Sequence, residues 1–410
     1  MGRVAGQKPS GTRARSAPVS EHSRFVPIAR RDLLPRLMKE REDGAALARA
    51  ADRLHHLLRH EANERAERLQ AAYAPFDPDP LVPNPTDGDP EAFLEALAEV
   101  LDEANFRRVT DEELRAAFAE KSLFPLRVEV DVDEYDVLRL YRRGMSHRDE
   151  KVRGWSTLWR WRTRRLALFV RLVVALRLKP EALRTSKAAR TQGMEPGLIY
   201  LKSFKNIPTA DVEMVLPNTR LRMRHLDRIL VGGPLVAGVG WTLFQSVSVL
   251  LALATGAFAL TLDDARLQAV GGVLLVLTGY LWRTHSKVKT TRLEYLQTLS
   301  QGLYFRNLAN NRTVIDQTLR LALDEEEKEA LLAYHLLSRD GAMSTEELDR
   351  RAEAWILEQT GRHADFDVHD GIARLEELGL VENGDAWRAV PCDEATRRLG
   401  ARWDAAFAAH

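Results

Sequence analysis

The sequence predicts an α+β membrane protein: an N-terminal α+β domain with a small antiparallel sheet, a two-helix transmembrane hairpin, and a C-terminal helical, winged-helix-like domain. Three observations predict it. From Ile229 to Leu262 no side chain is charged, and after Asp263, Asp264 and Arg266 the run Leu267 to Trp282 is uncharged again. Period-two alternation marks strands before this stretch, as in Leu126 to Val132. After it, three helical patterns are followed by a hairpin signal at Asn383-Gly384.

The uncharged stretch comes first because it constrains the rest. A spanning helix needs ~20 mostly apolar residues, since ~1.5 Å of rise per residue must cross ~30 Å of hydrocarbon. The first run is long enough; the second needs Arg266 and Arg283 snorkelling at its ends. The expected spans are 233–260 and 265–283, within a hairpin region 218–286. Arg220, Arg222, Arg224 and Arg228 precede it, and Arg283, Lys287, Lys289 and Arg292 follow it. Lys and Arg resist translocation, so an integral membrane protein with both termini cytoplasmic is expected.

The chain has 410 residues and a net charge of +1, which excludes a uniformly basic nucleic-acid binder. One cysteine, Cys392, excludes an intramolecular disulfide and a cysteine-based zinc site. Residues 1–23 are rich in Gly, Pro, Ser and Arg and read as a disordered tail. The N-terminal domain is expected over 24–217. Asp32 is a candidate cap for its first helix, and Ala45 to Tyr73 reads as a long charged helix with Leu54, Leu57, Leu58 and Leu69 on one side. On that helix His56, His60 and Glu64 have metal-ligand spacing, but with no ligand-rich partner they read as a solvated face. No metal and no cofactor is expected. A Pro-rich linker lies near 75–90, and two helices follow to Glu120, the second opened by a Thr110–Glu113 capping box. Strands are expected at Leu126–Val132, Tyr135–Tyr141, Leu166–Leu178 and Leu198–Phe204.

Between Arg139 and Gln192 the net charge is +13, and Trp155, Trp159 and Trp161 sit among Arg160, Arg162, Arg164 and Arg165. Interleaved cations and aromatics suit an anionic surface: phosphates attract the cations, and indoles settle at a headgroup layer or stack on bases. With an apolar hairpin in the same chain, anionic lipid headgroups of a bilayer are the expected contact, ahead of nucleic acid. The opposite charge balance, net −11 from Leu321 to Val390, offers acidic surfaces that could instead pair with these cations.

Connecting helices are expected over 287–323: Val288–Asn310, then Thr313–Leu323. The C-terminal domain is expected over 324–410, with helices at Glu325–Ser338, from Ser344 to Gln359, and Val368–Leu378 capped by Asp367. Its third helix carries Glu376 and Glu377 against Arg374, so it reads as a protein-interaction module and not a DNA reader. Asp365-Phe-Asp-Val-His-Asp-Gly has its Gly one place late for a calcium loop.

Four blocks carry a family resemblance. Tyr200-Leu-Lys-Ser-Phe-Lys-Asn-Ile-Pro-Thr-Ala-Asp-Val-Glu-Met-Val-Leu-Pro-Asn-Thr and Leu303-Tyr-Phe-Arg-Asn-Leu-Ala-Asn-Asn flank the apolar stretch; Arg24-Phe-Val-Pro-Ile-Ala-Arg-Arg-Asp-Leu and Lys328-Glu-Ala-Leu-Leu-Ala-Tyr lie further out. Together they resemble the transmembrane protein 143-like family. The resemblance implies a two-pass membrane protein with a domain of unknown function, and supplies no catalytic residues. The Ala- and Arg-rich composition favours a bacterial cell membrane, the mitochondrial inner membrane being the alternative.

From the residues themselves, Lys202, Phe204, Lys205 and Asp211 before the hairpin and Asn307, Asn310 and Asn311 after it are candidates for a site at its cytoplasmic base, unless they only cap helices and satisfy loop backbone. No phosphate loop, nucleophile elbow or metal signature is present. The expected function is therefore a non-enzymatic scaffold or regulator. The alternatives are a membrane-bound enzyme or solute handler using that base, and a membrane-tethered nucleic-acid binder.

Overall fold

The computed structural model describes residues 24–85, 87–119, 126–152, 162–185, 193–217, 220–223 and 303–408. They belong to two compact units, one of residues 1–117, 133–209 and 308–410, the other of 118–132 and 210–307.

The first unit begins with α1 (Arg30–Lys39) and α2 (Gly44–Tyr73). Leu54, Leu57, Leu58 and Leu69 are buried along one side of α2, as their spacing predicts. Asp32 lies inside α1, whose N-cap is Ala29, so it is not the cap expected of it. Next comes α3 (Pro90–Glu103), capped by Asp89, whose side chain accepts from the Glu91 and Ala92 amides. A short strand β1 (Arg107–Arg108) leads to α4 (Asp111–Ala119). The capping box is present: the Glu113 amide donates to Thr110 Oγ1 at 3.1 Å, and the Thr110 amide to Glu113 at 3.1 Å.

The sheet of this unit is five-stranded and antiparallel. Its main strands are β3 (Tyr135–Val152), β4 (Arg162–Leu178) and β5 (Tyr200–Pro208). With β7 (Asn307–Asn310), the order is β1-β3-β4-β5-β7. Strand β2 (Leu126–Glu129) is not part of it; in the second unit it pairs antiparallel with β6 (Arg220–Met223), Leu126 opposite Met223. A short helix α5 (Pro180–Thr185) follows β4. Residues 307–310, expected to end a helix, are strand β7.

Helix α6 (Arg312–Asp340) is the spine of the unit. It runs unbroken through the place where two separate helices were expected. Val314, Ile315 and Leu319 enter a core with Phe93, Leu97 and Leu101 of α3 and Tyr141, Val173 and Leu201 of the sheet. Leu331, Leu332 and Leu336 enter a second core with Leu37, Leu47 and Leu58. The second core is completed by α7 (Thr345–Thr360), α8 (Val368–Glu377), the hairpin β8–β9 (Val381–Asn383 and Trp387–Ala389) and α9 (Cys392–Ala408). Ser344 caps α7, accepting from the Glu347 amide at 3.3 Å. The sequence reading did not foresee α9, which lays Ala395 and Leu399 into this core.

The integral-membrane class is overturned. Among the described residues no helix is long and apolar enough to cross a membrane. Helices α2 and α6 have the length, at 30 and 29 residues, but both carry charged residues throughout, which a span tolerates poorly. The expected spans 233–260 and 265–283 lie outside the described residues. What the structure supports is an α+β fold built on a five-stranded antiparallel sheet; the described residues give no support to the transmembrane, multi-pass character or to the bacterial or mitochondrial membrane location expected from the sequence.

Candidate anion-contacting surface and the charged junction

Strands β3 and β4 form the longest feature of the sheet. They stay paired from Tyr135 opposite Leu178 to Val152 opposite Arg162. Strand β5 joins β4 only from Leu168 onward, where Leu168 faces Pro208. Beyond that point the hairpin continues as a two-stranded arm, His147 opposite Ala167, Arg148 opposite Leu166 and Asp149 opposite Arg165. The β3 half of the arm was not expected as strand, because its charged residues show no apolar alternation.

Arg148 and Arg165 are exposed and have no carboxylate partner among the described residues. Nearer the sheet the arginines are neutralised. Arg139 pairs with Glu91, Arg142 with Glu113 at 2.9 Å, and Arg177 with Asp136 at 2.5 Å. Arg162 and Arg164 lie on β4. Trp155, Trp159, Arg160 and Trp161 lie outside the described residues, between the two strands of the arm.

The residues expected at a membrane base are only partly brought together. Lys202, Phe204 and Lys205 lie on β5, beside β7, which ends at Asn310. Asp211 and Asn307 fall in the second unit. Phe204 is buried, Lys205 is exposed, and burial holds the Lys202 ammonium below the usual lysine range.

Asn311 is a structural joint. Its amide donates to the Leu201 carbonyl at 2.7 Å, and its Oδ1 accepts from the Leu201 amide at 3.2 Å, so it extends the sheet beside β5. Its Nδ2 donates to Asp79 of the Pro-rich segment. The backbone at Asn311 has φ 47°, an angle that residues other than Gly and Asn adopt with difficulty. Asn311→Ala should therefore lower stability by about 2 kcal/mol, measured by urea denaturation, through loss of one buried and one part-buried hydrogen bond. A loss below ~0.5 kcal/mol would show that the joint is dispensable.

Sequence reasoning missed a charged junction in the middle of α6, between its two cores. Glu325 is 1% exposed and Lys328 3%. Arg143 of β3 donates to Glu325 Oε1 at 2.5 Å, and Lys328 Nζ donates to the same oxygen at 2.6 Å. The Val26 amide donates to Glu325 Oε2 at 3.1 Å, and the Val26 carbonyl accepts from Lys328 at 3.1 Å. The Phe25 ring lies 4.9 Å from the Arg143 guanidinium carbon. Glu327, equally buried, binds Arg30 and His55 Nδ1, the latter at 2.9 Å. Burial, with the charge of Glu325 added, pushes the Glu329 carboxyl up to about 9; Asn105 donates to it at 3.2 Å.

The blocks beginning at Arg24 and at Lys328 are thus packed on each other. The available signal was a run of acids, Asp324 to Glu327, set in an otherwise apolar helix. That run matched an exposed helix start equally well.

Residues 169–313 match the model of a family described as a protein of unknown function (DUF3754). The match begins in β4, takes in β5 and β7, and ends at the start of α6, so it includes the Asn311 joint. No solved structure matches the chain.

His56 and His60 lie on α2 within 3.6 Å of Asp52 and Glu64. The His60 ring lies 4.8 Å from Phe407 and 5.9 Å from Trp403 of α9. Among the described residues no group of three or more His, Cys, Asp or Glu could hold a metal ion.

Proposed function

We propose that the chain is a non-enzymatic scaffold or regulator that works by surface contact, with the β3–β4 arm touching the phosphates of an anionic lipid surface from outside. The observation that carries this reading is the arm itself: the hairpin outruns its sheet where Arg148 and Arg165 are exposed and without carboxylate partners among the described residues. Carboxylates neutralise Arg139, Arg142, Arg143 and Arg177, but among the described residues not these two. The sequence adds Trp155, Trp159 and Trp161 between the strands, and Trp favours the headgroup layer. The contact is peripheral and needs no spanning helix.

The family match supports the finer resemblance to the transmembrane protein 143-like family in one respect. The blocks at 200–219 and 303–311 both fall inside residues 169–313. An enzyme or solute handler built on Lys202, Phe204, Lys205, Asp211 and the asparagines has less support, since Asn311 is engaged in holding β5.

The test is sedimentation of the full chain with vesicles, with and without phosphatidylserine. The chain should sediment with the anionic vesicles alone. At about 1 kcal/mol per Arg, Arg148→Ala and Arg165→Ala combined should weaken binding about 30-fold. Equal binding to neutral vesicles, or no effect of the double substitution, would refute the reading. Tighter, salt-dependent retention on double-stranded DNA or RNA than on vesicles would replace it with nucleic-acid binding.

A further inference from the structure

A groove of about 650 Å³ runs between α2 and α6, away from the arm and independent of the reading given to it. The two helices that wall it are antiparallel. His55 of α2 meets Glu327 of α6 at one end, and Gln70 meets Arg312 and Asp316 at the other. Arg59 stands on the α2 wall and Arg320 on the α6 wall. With ~1.5 Å of rise per residue, this antiparallel register sets Arg59 and Arg320 within about two helical turns of each other along the groove.

Both guanidiniums are exposed, and neither has a carboxylate partner among the described residues. The acids four residues either side of Arg320 on α6 are engaged elsewhere: Asp316 accepts from Gln70 Nε2 at 2.5 Å, and Asp324 pairs with Lys328 at 3.0 Å. Two cations facing each other across a cleft repel unless an anion lies between them. A guanidinium meets a phosphate through two parallel N–H donors, and two guanidiniums can clasp one phosphate from both sides. Between the cations the floor is apolar, formed by Ala62, Leu319 and Leu323. Side-chain bridges cross between the two helices beyond both ends of the groove, and its volume suits a small molecule.

We infer that the α2–α6 groove binds a small phosphorylated molecule with an apolar body, its phosphate held between Arg59 and Arg320 and its body on the Ala62–Leu319–Leu323 floor.

Phenyl phosphate is a suitable probe, titrated calorimetrically into the full chain, with inorganic phosphate and phenol as comparisons. Saturable binding of phenyl phosphate is expected, at least tenfold tighter than that of inorganic phosphate, with none for phenol. Arg59→Ala and Arg320→Ala should each weaken it at least tenfold, and the pair should abolish it. Arg53→Ala, exposed on the same helix but outside the groove, should leave it unchanged. Both arginines are exposed, so the variants should keep the wild-type circular dichroism and urea midpoint. Absence of saturable binding at millimolar phenyl phosphate, or undiminished binding in the double variant, overturns the site. Equal affinity for inorganic phosphate overturns the apolar part of the ligand.

Discussion

Replacing Glu325 by Ala should cost about 3–5 kcal/mol of stability. Glu325 takes hydrogen bonds from Arg143, Lys328 and the Val26 amide while 1% exposed. Its removal leaves two cations inside the protein. Lys328 keeps Asp324 at 3.0 Å and the Val26 carbonyl, but Arg143 keeps only the Phe25 ring among its contacts described above. A buried charge without its partner is far costlier than an apolar replacement of the whole pair. The measurement is the urea midpoint at neutral pH. Raising the salt concentration should not restore it, because screening barely reaches buried pairs. A loss under ~1 kcal/mol would mean that water enters the junction and solvates Arg143.

Glu329→Gln should act in the opposite direction, and its effect should depend on pH. In the folded chain the Glu329 carboxyl titrates near 9; burial is the main cause, followed by the Glu325 charge. In the unfolded chain it titrates near the ordinary value of about 4.3. Between those values the folded state holds one proton more than the unfolded state. The stability linked to this group is therefore fully present below about pH 4.3 and is lost as pH rises toward 9. Glutamine stays neutral throughout and keeps an acceptor for Asn105 Nδ2. The variant should match the wild type near pH 4 and exceed it by roughly 2–4 kcal/mol at pH 8, at about 1.4 kcal/mol per pH unit with allowance for relaxation. Urea titrations at pH 4, 6 and 8 would show it. A constant difference across that range would remove Glu329 as the source.

The parts of this fold visible from sequence were those whose signals are local. Leu54, Leu57 and Leu58 recur at helical spacing, Thr110 and Glu113 satisfy each other three residues apart, and Leu166 to Leu178 is an apolar run that only a buried strand or helix could carry. The features that were missed depend on distant partners. Nothing near Glu325 or Glu327 reveals Arg143 or Arg30, which lie 182 and 297 residues away. The acids therefore read as the start of an exposed helix, and one helix was divided into two. The β3 half of the arm was missed because residues 147–151 are charged or polar on both faces of the strand, so the sequence shows no apolar alternation there. The integral-membrane class rested on residues 229–282, their basic flanks and the family resemblance, and charge on the long described helices gives it no support. Of the candidate site, Asn311 was named for a place at a membrane base; in the structure it holds β5 to the start of α6.

The contact between Val26 and Glu325 closes a loop of 299 residues. Helices α1 and α2 have their packing partners in α6 to α9, so during synthesis they emerge long before anything can cover Leu37, Leu47 and Leu58. Contacts this remote slow folding, because loop-closure entropy is lost before they form. The nascent N-terminal helices must wait with apolar faces exposed, which is the condition under which chaperones engage and aggregation competes. The helical core is thus a late product of folding, completed only once the C-terminal residues have been made.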